Sequence, residues 1–232
     1  MSASRLVVWR HGQTEWNVEG RHQGQIDVPL DRTGWQQAKA AAQRLALLDP
    51  VAIVSSDLSR AAQTAVALSE RTGLPVTHDP RLREIDTGSM GGFTRAEFRE
   101  RFPGVGVGHG PDAPHGGDGE TERAVAERMV AALTDIAVAA PDGSTIVVAT
   151  HGVAARVGVA ALAGLPPEGW RALSGIANCS WGVIGRVAPL PEPHPRGSAG
   201  DEPAPGSVWR IVEWNAGSLP EPDEAPEDQP PG

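Results

Sequence analysis

The stretch LVVWRHG at residues 6–12 decides the fold class of this chain. Its first four residues are apolar, so residues 6–9 are expected to form a short strand buried on both faces. The stretch TIVVATHG at residues 145–152 has the same form, and residues 51–55 supply a third strand of this kind. Ala-rich helical segments alternate with these strands. This alternation predicts an α/β fold: a three-layer α/β/α sandwich with a mostly parallel sheet.

The first two helices are expected to connect the strands. Residues 34–48 contain strong helix formers, and Thr33 is placed to cap the start of that helix. Residues 58–72 form the next helix, with Ser56 and Asp57 as candidate caps. The remaining predicted elements follow the same rules: strands at 75–78, 181–187 and 208–214, a short helix opened by a capping box at 94–97, and helices at 120–139 and 153–162.

The composition is that of an ordinary globular protein. Apolar residues make up 40% of the chain and charged residues 21%, which excludes a wholly disordered chain. No apolar run approaches the roughly 18 residues of a membrane-spanning helix, and the first residues lack the apolar stretch of a secretory signal. Cys179 is the single cysteine and cannot form an internal disulfide. We therefore expect a cytoplasmic protein.

The chain is expected to form a single domain over residues 1–215. Residues 187–207 carry six prolines and are interpreted as a flexible loop that joins a pair of edge strands. This edge could serve a homodimer. Residues 105–119 are rich in glycine and look structureless, whereas residues 216–232 are acidic and rich in proline and should be a disordered tail.

The net charge of −9 limits the partners of the chain. It argues against nucleic acid and against anionic membrane. It does not exclude a small anionic ligand, because a local group of arginines can lie inside an acidic protein. A small phosphorylated metabolite therefore remains a candidate partner.

Two histidines follow two of the buried strands directly. Ligands of open α/β sheets bind beyond the carboxyl ends of the strands. His11 precedes Gly12 there, and His151 precedes Gly152 at the same relative position. One such histidine is more often structural, but two at matching positions favour a function. Glycine lacks a Cβ, so both glycines are expected to let a phosphate approach backbone N–H groups.

Further charged residues are expected near the same edge. Arg60 falls in the first turn of the second predicted helix, where it could bind an anion or simply face solvent. Glu84 follows the strand at 75–78 and lies beside Arg83. Such a pair is usually a surface ion pair. The functional alternative makes Glu84 a proton donor, with the Arg83 guanidinium pointing out of the pocket.

This inventory favours phosphoryl chemistry without a metal or cofactor. The sequence shows no carboxylate cluster for Mg²⁺, no zinc-ligand spacing, no phosphate-binding loop of the Walker type and no GxGxxG motif. A neutral imidazole can attack phosphorus and form a phosphohistidine. Arginines can neutralise the phosphoryl oxygens, and a carboxyl group can protonate the departing oxygen.

Several motifs in this order resemble the histidine phosphatase (phosphoglycerate mutase-like) superfamily. They are RHGQTEWN at 10–17, GQIDVPLDRTGWQQ at 24–37, SSDLSRAAQT at 55–64, residues 83–92 and THG at 150–152. The resemblance spans about residues 5–165. It implies the phosphoglycerate mutase-like form of the predicted sandwich.

The resemblance also implies a role for each of the charged residues at the strand ends. His11 would be the nucleophile that becomes phosphorylated. Glu84 would be the general acid and later the base that activates water. Three residues would complete the phosphate pocket: Arg10, Arg60 and His151.

Residues farther along the chain gain roles in the same way. Thr14 and Asn17 would contact the phosphate or order the loop, and Gln23 would lie at the substrate mouth. Residues 114–120 resemble the family's Pro-Gly-Gly-Glu segment, although two extra residues interrupt it. His115 within it could touch the substrate or be a solvated loop residue.

Residues 177–181 and 208–215 are similar to an actinobacterial subgroup of these phosphatases. That similarity implies glucosyl-3-phosphoglycerate as substrate. Three alternatives stay open: a cofactor-dependent phosphoglycerate mutase, a broad-specificity small-molecule phosphatase and a non-catalytic phospholigand sensor. The short connection between Glu84 and His151, and the absence of Lys and Arg from residues 105–119, favour hydrolysis over isomerisation.

Overall fold

A mixed sheet organises the fold in the computed structural model, which describes residues 3–105, 110–187 and 208–217. Within these residues the sheet has six strands in the order β3-β2-β4-β1-β5-β6. The strands are β1 (Arg5–Arg10), β2 (Ala52–Ser55), β3 (Val76–His78), β4 (Thr145–Thr150), β5 (Trp181–Val187) and β6 (Val208–Ala216). The first four run parallel, whereas β5 pairs antiparallel with both β1 and β6. All six predicted strands, and the mostly parallel sheet, are confirmed.

Helices connect and cover these strands. They are α1 (Glu15–Glu19), α2 (Arg32–Leu45), α3 (Ser59–Thr72), α4 (Arg95–Arg101), α5 (Glu122–Ala139) and α6 (Gly152–Leu162). The capping box that opens α4 is confirmed, since Thr94 and Glu97 bond to each other's backbone N–H. The sequence prediction missed α1, because five residues are too few to show a helical period.

Two predicted helix caps are wrong. The N-cap of α2 is Asp31, whose carboxylate accepts from the Gly34 N–H at 2.7 Å, so Thr33 lies inside the helix. The N-cap of α3 is Leu58, and no side chain of the preceding residues caps it. The carboxylate of Asp27 does this instead, because it accepts from the Ser59 N–H at 2.7 Å. A local sequence pattern cannot identify a capping residue that comes from a distant segment.

The core lies on both faces of the sheet. Along β1, Leu6 and Val8 pack against the layer that contains α5 and α6. Val7 and Trp9 pack on the opposite face, against the layer of α2 and α3. This alternation confirms the three-layer sandwich, because successive side chains of a strand point to opposite faces. The apolar core ends with these strands, and polar residues follow at the carboxyl ends of β1 and β4.

The glycine-rich segment is more ordered than the sequence suggested. Residues 106–109 lie outside the described part of the chain, but residues 110–119 include a turn at His115–Gly117. The Gly119 N–H donates to His115 O at 2.8 Å, and Asp118 binds the hydroxyl of Ser89 at 2.6 Å. These contacts fasten the segment over the carboxyl end of the sheet. The predicted loop at 187–207 and the predicted tail at 216–232 lie almost wholly outside the described residues.

No helix within the described ranges is long and apolar enough to cross a membrane.

Candidate active site

The register of the central strands places His11 beside His151. Arg10 at the end of β1 pairs with Thr150 at the end of β4, and each histidine is the next residue. The His11 N–H also donates to Thr150 O at 3.0 Å. The two imidazole rings lie 5.2 Å apart between centroids, and both are buried. The expectation that the two His-Gly pairs occupy matching places on one sheet is therefore confirmed.

His11 is held as an uncharged imidazole with a free lone pair on one ring nitrogen. Its Nδ1 lies 2.7 Å from the carbonyl oxygen of Gly12, which can only accept, so Nδ1 carries the proton. The lone pair is then on Nε2. Burial, and next the charges of Arg60 and Arg10, hold the pKa of His11 well below its ordinary value. The ring is consequently uncharged at neutral pH.

His151 is held in the complementary tautomer. Its Nε2 lies 2.9 Å from Ser56 Oγ, and that oxygen also accepts from the Leu58 N–H at 3.3 Å. The Ser56 hydroxyl has no other acceptor among the described hydrogen bonds, and we therefore assign it as the donor to Nε2. The proton of His151 is then on Nδ1, which is buried and has no partner among the described atoms. Burial also holds the pKa of His151 well below its ordinary value.

Arg10 and Arg60 supply positive charge, and no carboxylate within the described ranges forms an ion pair with either of them. Arg10 donates to Ile176 O at 2.6 Å, and Arg60 donates to Ile26 O at 2.9 Å and Gly24 O at 2.7 Å. Both Nε atoms are buried and lack a partner within the described ranges. Burial lowers the pKa of Arg60 to about 10, which leaves it charged at neutral pH.

Glu84 is fixed against the first turn of α6. Its Oε1 accepts from the N–H groups of Ile85 at 2.9 Å and Ala154 at 3.0 Å. Its Oε2 accepts from the Val153 N–H at 3.1 Å. Three backbone donors therefore define where this carboxyl group lies. Arg83 points away from it, as expected, and donates to Asp57 at 2.7 Å.

The two glycines that follow the histidines do different things. A Cβ on Gly12 would lie 2.5 Å from Gly34 O, and the Gly12 N–H already donates to Thr64 Oγ1 at 3.0 Å. The prediction that Gly12 presents a free N–H to a phosphate is therefore wrong, because this glycine lets α2 pack closely. A Cβ on Gly152 would lie 3.5 Å from Arg10 Nε, inside the group of charged side chains. A Cβ at Gly152 would therefore make only ordinary contacts, but it would make them with Arg10 and Glu84.

Thr14 and Asn17 order the loop after β1. Thr14 is fully buried, and its hydroxyl lies 3.1 Å from Asn17 Oδ1 in the capping box of α1. Asn178 donates to His11 O at 3.1 Å and to Asn17 Oδ1 at 3.2 Å. Asn178 was not among the predicted site residues, although it lies within the 177–181 stretch that the resemblance singled out. Thr14 therefore orders the loop, which is one of its two expected roles. Asn17 also lines the cavity.

A cavity of about 530 Å³ opens in front of these residues. Seven of the predicted site residues line it: Arg10, His11, Asn17, Gln23, Arg60, Glu84 and His115. The other three, His151, Thr14 and Gly152, are not among its lining residues. Gln23 Oε1 and His115 Nε2 are buried and lack a partner within the described ranges.

The lining of this cavity is strongly cationic. Among the described residues it has six arginines against two glutamates, although the whole chain carries −9. The four arginines that sequence reasoning did not place there are Arg21, Arg95, Arg156 and Arg171. Their spacing along the chain gave no signal, because they come from four separate segments. The cavity can hold an anion larger than one phosphate.

Comparison with known proteins agrees with this geometry. The model of the histidine phosphatase superfamily (branch 1) matches residues 6–188. The glucosyl-3-phosphoglycerate phosphatase of Mycolicibacterium vanbaalenii is 41% identical, over 93% of this chain and 96% of that protein. A protein of an Enterobacter species named "Probable phosphoglycerate mutase GpmB" is 38% identical over 76% of this chain and 82% of its own.

A solved structure gives the same result. Mycobacterial glucosyl-3-phosphoglycerate phosphatase in complex with VO3 superimposes with a TM-score of 0.79 at 37% identity, covering 92% of this chain and 99% of that one. The matched residues 6–188 include β2 to β5, nearly all of β1 and every charged residue of the site described above. The chain belongs to the histidine phosphatase superfamily (branch 1).

Proposed function

We propose that this chain hydrolyses glucosyl-3-phosphoglycerate through a phosphohistidine on His11. The chain is a phosphatase of the histidine phosphatase type, so a non-catalytic sensor is set aside. The observation that carries the mechanism is the pairing of a neutral His11 with two buried arginines. An uncharged nucleophile beside unpaired positive charge is what attack on a phosphate ester requires.

The first step transfers the phosphoryl group to the enzyme. Nε2 of His11 attacks phosphorus, an N–P bond forms, and the P–O bond to the substrate hydroxyl breaks. Glu84 gives a proton to the departing oxygen. Arg10, Arg60 and the Nδ1–H of His151 donate to the three equatorial oxygens, where negative charge accumulates in the transition state.

The second step releases phosphate. Glu84, now a carboxylate, takes a proton from a water molecule whose oxygen attacks phosphorus. The N–P bond breaks, its electron pair returns to Nε2, and inorganic phosphate leaves. His11 is again neutral, which its low pKa favours, so no further proton transfer is needed before the next cycle.

The substrate proposal rests on similarity and on charge. Relatives of this name are 41% identical over nearly the full chain. Phosphate transfer needs only part of the cationic lining, and the remaining arginines fit a substrate with a second negative group. The partner of the site is then a small phosphorylated metabolite. A homodimer, the absence of nucleic acid as a partner and a cytoplasmic location stay predictions.

The decisive experiment traps the intermediate. The protein is mixed with glucosyl-3-phosphoglycerate labelled in its phosphate and is quenched within the first turnover. We expect a label that is labile in acid and stable in base, as a phosphoramidate is. H11A should lose both label and turnover. The exposed His78 lies outside the cavity, so H78A is the matched control and should keep both. Near-normal turnover by H11A would overturn the mechanism.

A second measurement separates hydrolysis from isomerisation. The protein is incubated with 3-phosphoglycerate and a trace of 2,3-bisphosphoglycerate, and free phosphate is counted against 2-phosphoglycerate. We expect negligible isomerisation, because a mutase must retain its phosphoenzyme and the segment at 105–119 supplies no Lys or Arg to close over it. Isomerisation much faster than phosphate release would instead establish a mutase.

A further inference from the structure

The outer wall of the cavity carries an ion cluster that the proposed mechanism does not use. Glu122, at the start of α5, is only 2% exposed. Its Oε1 accepts from Arg156 Nη2 at 2.8 Å and lies 3.5 Å from Arg171 Nη2. All three residues line the cavity. A buried carboxylate that fixes two arginines in one wall is a built feature and not a solvated surface pair.

The cluster adjoins the reacting groups. Arg156 is on α6, three residues after Val153, whose N–H holds Glu84. Residues three apart share a helix face, and the rise of about 1.5 Å per residue puts them roughly 4.5 Å apart along the axis. Helical side chains lean toward the N-terminus. Arg156 therefore lies about one helical turn from a residue that holds Glu84, and both side chains line the same cavity.

Arg171 reaches the cluster from a separate segment. It follows Trp170, which is 4% exposed and donates from Nε1 to Leu165 O at 3.0 Å. The anchored indole holds the backbone of Arg171 in place. Its guanidinium remains about half exposed at the cavity mouth.

The positive charge of the cluster is only partly neutralised. Two arginines share one carboxylate, so the cluster carries a net positive charge. Two other arginines show the opposite ratio: Arg21 contacts Glu19 and Glu97, and Arg81 contacts Asp79 and Asp135. Arg156 Nε is also buried without a partner in the described part of the chain. A buried charged donor that lacks a partner is costly, and an anionic ligand would satisfy it.

We propose that Arg156 and Arg171, held by Glu122, bind a second anionic group of the substrate, its carboxylate, while the phosphate lies at His11. This inference rests on the proposed function, since it assigns the non-reacting end of the same substrate. It makes the chain selective for phosphomonoesters of carboxylic acids over phosphate esters of neutral alcohols. His115 lines the same cavity, its buried Nε2 has no partner among the described residues, and it can hydrogen-bond to the bound acid.

The test uses two substrates that differ at one group. 3-Phosphoglycerate and glycerol 3-phosphate both carry phosphate on a primary carbon, and a hydroxymethyl replaces the carboxylate in the second. R156M keeps an unbranched side chain and removes the charge. We expect its kcat/KM for 3-phosphoglycerate to fall about tenfold to a hundredfold, mainly through KM. The loss for glycerol 3-phosphate should be at least about tenfold smaller.

Two further variants guard against a merely structural effect. R156K retains the charge and should recover part of the preference for the acid. R171M alters a more exposed residue, so it tests the same subsite if R156M fails to fold. Arg123 follows Glu122 in the chain but pairs with Asp112 outside the cavity. R123M is therefore the matched control and should keep both activities.

The outcomes separate the inference from the function it rests on. A wild-type protein that hydrolyses both esters equally well, or an R156M variant that loses both activities equally, overturns the carboxylate subsite and leaves the phosphatase intact. A wild-type protein that forms no phosphohistidine and hydrolyses neither ester nor glucosyl-3-phosphoglycerate overturns the proposed function, and the subsite with it.

Discussion

Ser56 Oγ lies 2.9 Å from Nε2 of His151, which joins the end of β2 to the end of β4 inside the protein. From this contact we assign the imidazole proton to Nδ1, the atom without a partner in the described chain. Ser56 touches none of the atoms that react. We predict that it is a positioning residue, because its hydroxyl selects the nitrogen of His151 that can donate to the phosphate in the proposed mechanism.

The variant S56A should slow phosphoryl transfer. Without the hydroxyl, His151 can take the other tautomer or rotate. We therefore expect kcat to fall about tenfold to a hundredfold, with a smaller change in KM. S55A is the matched control, because Ser55 Oγ donates only to the Ser56 carbonyl at 2.8 Å. Nitrogen NMR of His151 should show the Nδ1–H tautomer in wild type and in S55A. An unchanged tautomer in S56A would contradict the assignment.

The sequence could place His11 beside His151 because strand ends are local features. Two apolar runs that end in His-Gly place His11 and His151 at one edge once the strands pair in parallel. Nothing local distinguishes Ser56 from Ser55, because both are buried and only the turn after β2 aims one hydroxyl at His151.

The outer wall was beyond sequence reasoning for a related reason. Glu122 and Arg123 are adjacent charges on one helix, yet one is 2% exposed in the cavity and the other forms an exposed ion pair. The helix phase set by the N-cap Thr121 decides which of them faces inward. Arg156 and Arg171 contact Glu122 only through tertiary packing, and the spacing of the three residues in the sequence does not predict this contact.

The two buried histidines should make the stability of the fold depend on pH. Burial lowers the native pKa of both, whereas the unfolded chain has the ordinary value near 6.5. Below that pH the unfolded state binds protons that the native state does not, so stability is full above pH 6.5 and falls as the pH drops. Each histidine should lower the free energy of unfolding by about 1.4 kcal/mol between pH 7.5 and pH 5.5.

Urea unfolding at those two pH values measures this effect. Over the same pH interval, the free energy of unfolding of H151N should fall by about 1.4 kcal/mol less than that of wild type. This difference does not depend on how stable H151N is at pH 7.5. H78A alters an exposed histidine and is the control. Equal losses in wild type and H151N would show that His151 is protonated in the native state.

Alanine at the two glycines should separate folding from binding. In G12A the new Cβ would meet the backbone oxygen of Gly34, which cannot move aside as a side chain can. We expect a loss of about 1–3 kcal/mol in the free energy of unfolding. In G152A the nearest atoms are 3.5 Å or more away, so stability should hold while kcat/KM falls. Thermal denaturation and phosphatase assays check both variants, and destabilisation of G152A by as much as G12A would contradict the distinction.

Chelators should leave the rate unchanged. The proposed steps use only protein side chains, and no group of three or more metal-binding side chains is placed to hold an ion within the described ranges. Activity toward glucosyl-3-phosphoglycerate is measured before and after prolonged treatment with EDTA and 1,10-phenanthroline. A large loss that Mg²⁺ or Zn²⁺ restores would refute a metal-independent mechanism.

The role of Glu84 as proton donor is tested by changing the leaving group. A sugar or glycerate oxygen needs a proton as the P–O bond breaks, whereas p-nitrophenolate leaves without one. In the phosphorylation step, E84Q should therefore slow an alkyl phosphate by about 10²–10⁴-fold and p-nitrophenyl phosphate far less. The pre-steady-state burst of nitrophenol isolates this step from the later one, in which Glu84 acts as base.

The geometry around Glu84 adds a control to this experiment. Both oxygens accept backbone N–H groups, at Ile85, Val153 and Ala154. A glutamine offers only one oxygen, so its NH₂ group must face an N–H donor and E84Q should also lose stability. Thermal denaturation measures that loss separately, and a structural defect would slow both substrates by the same factor. Equal losses in the phosphorylation step would thus assign Glu84 to the structure of the pocket and remove it as the acid.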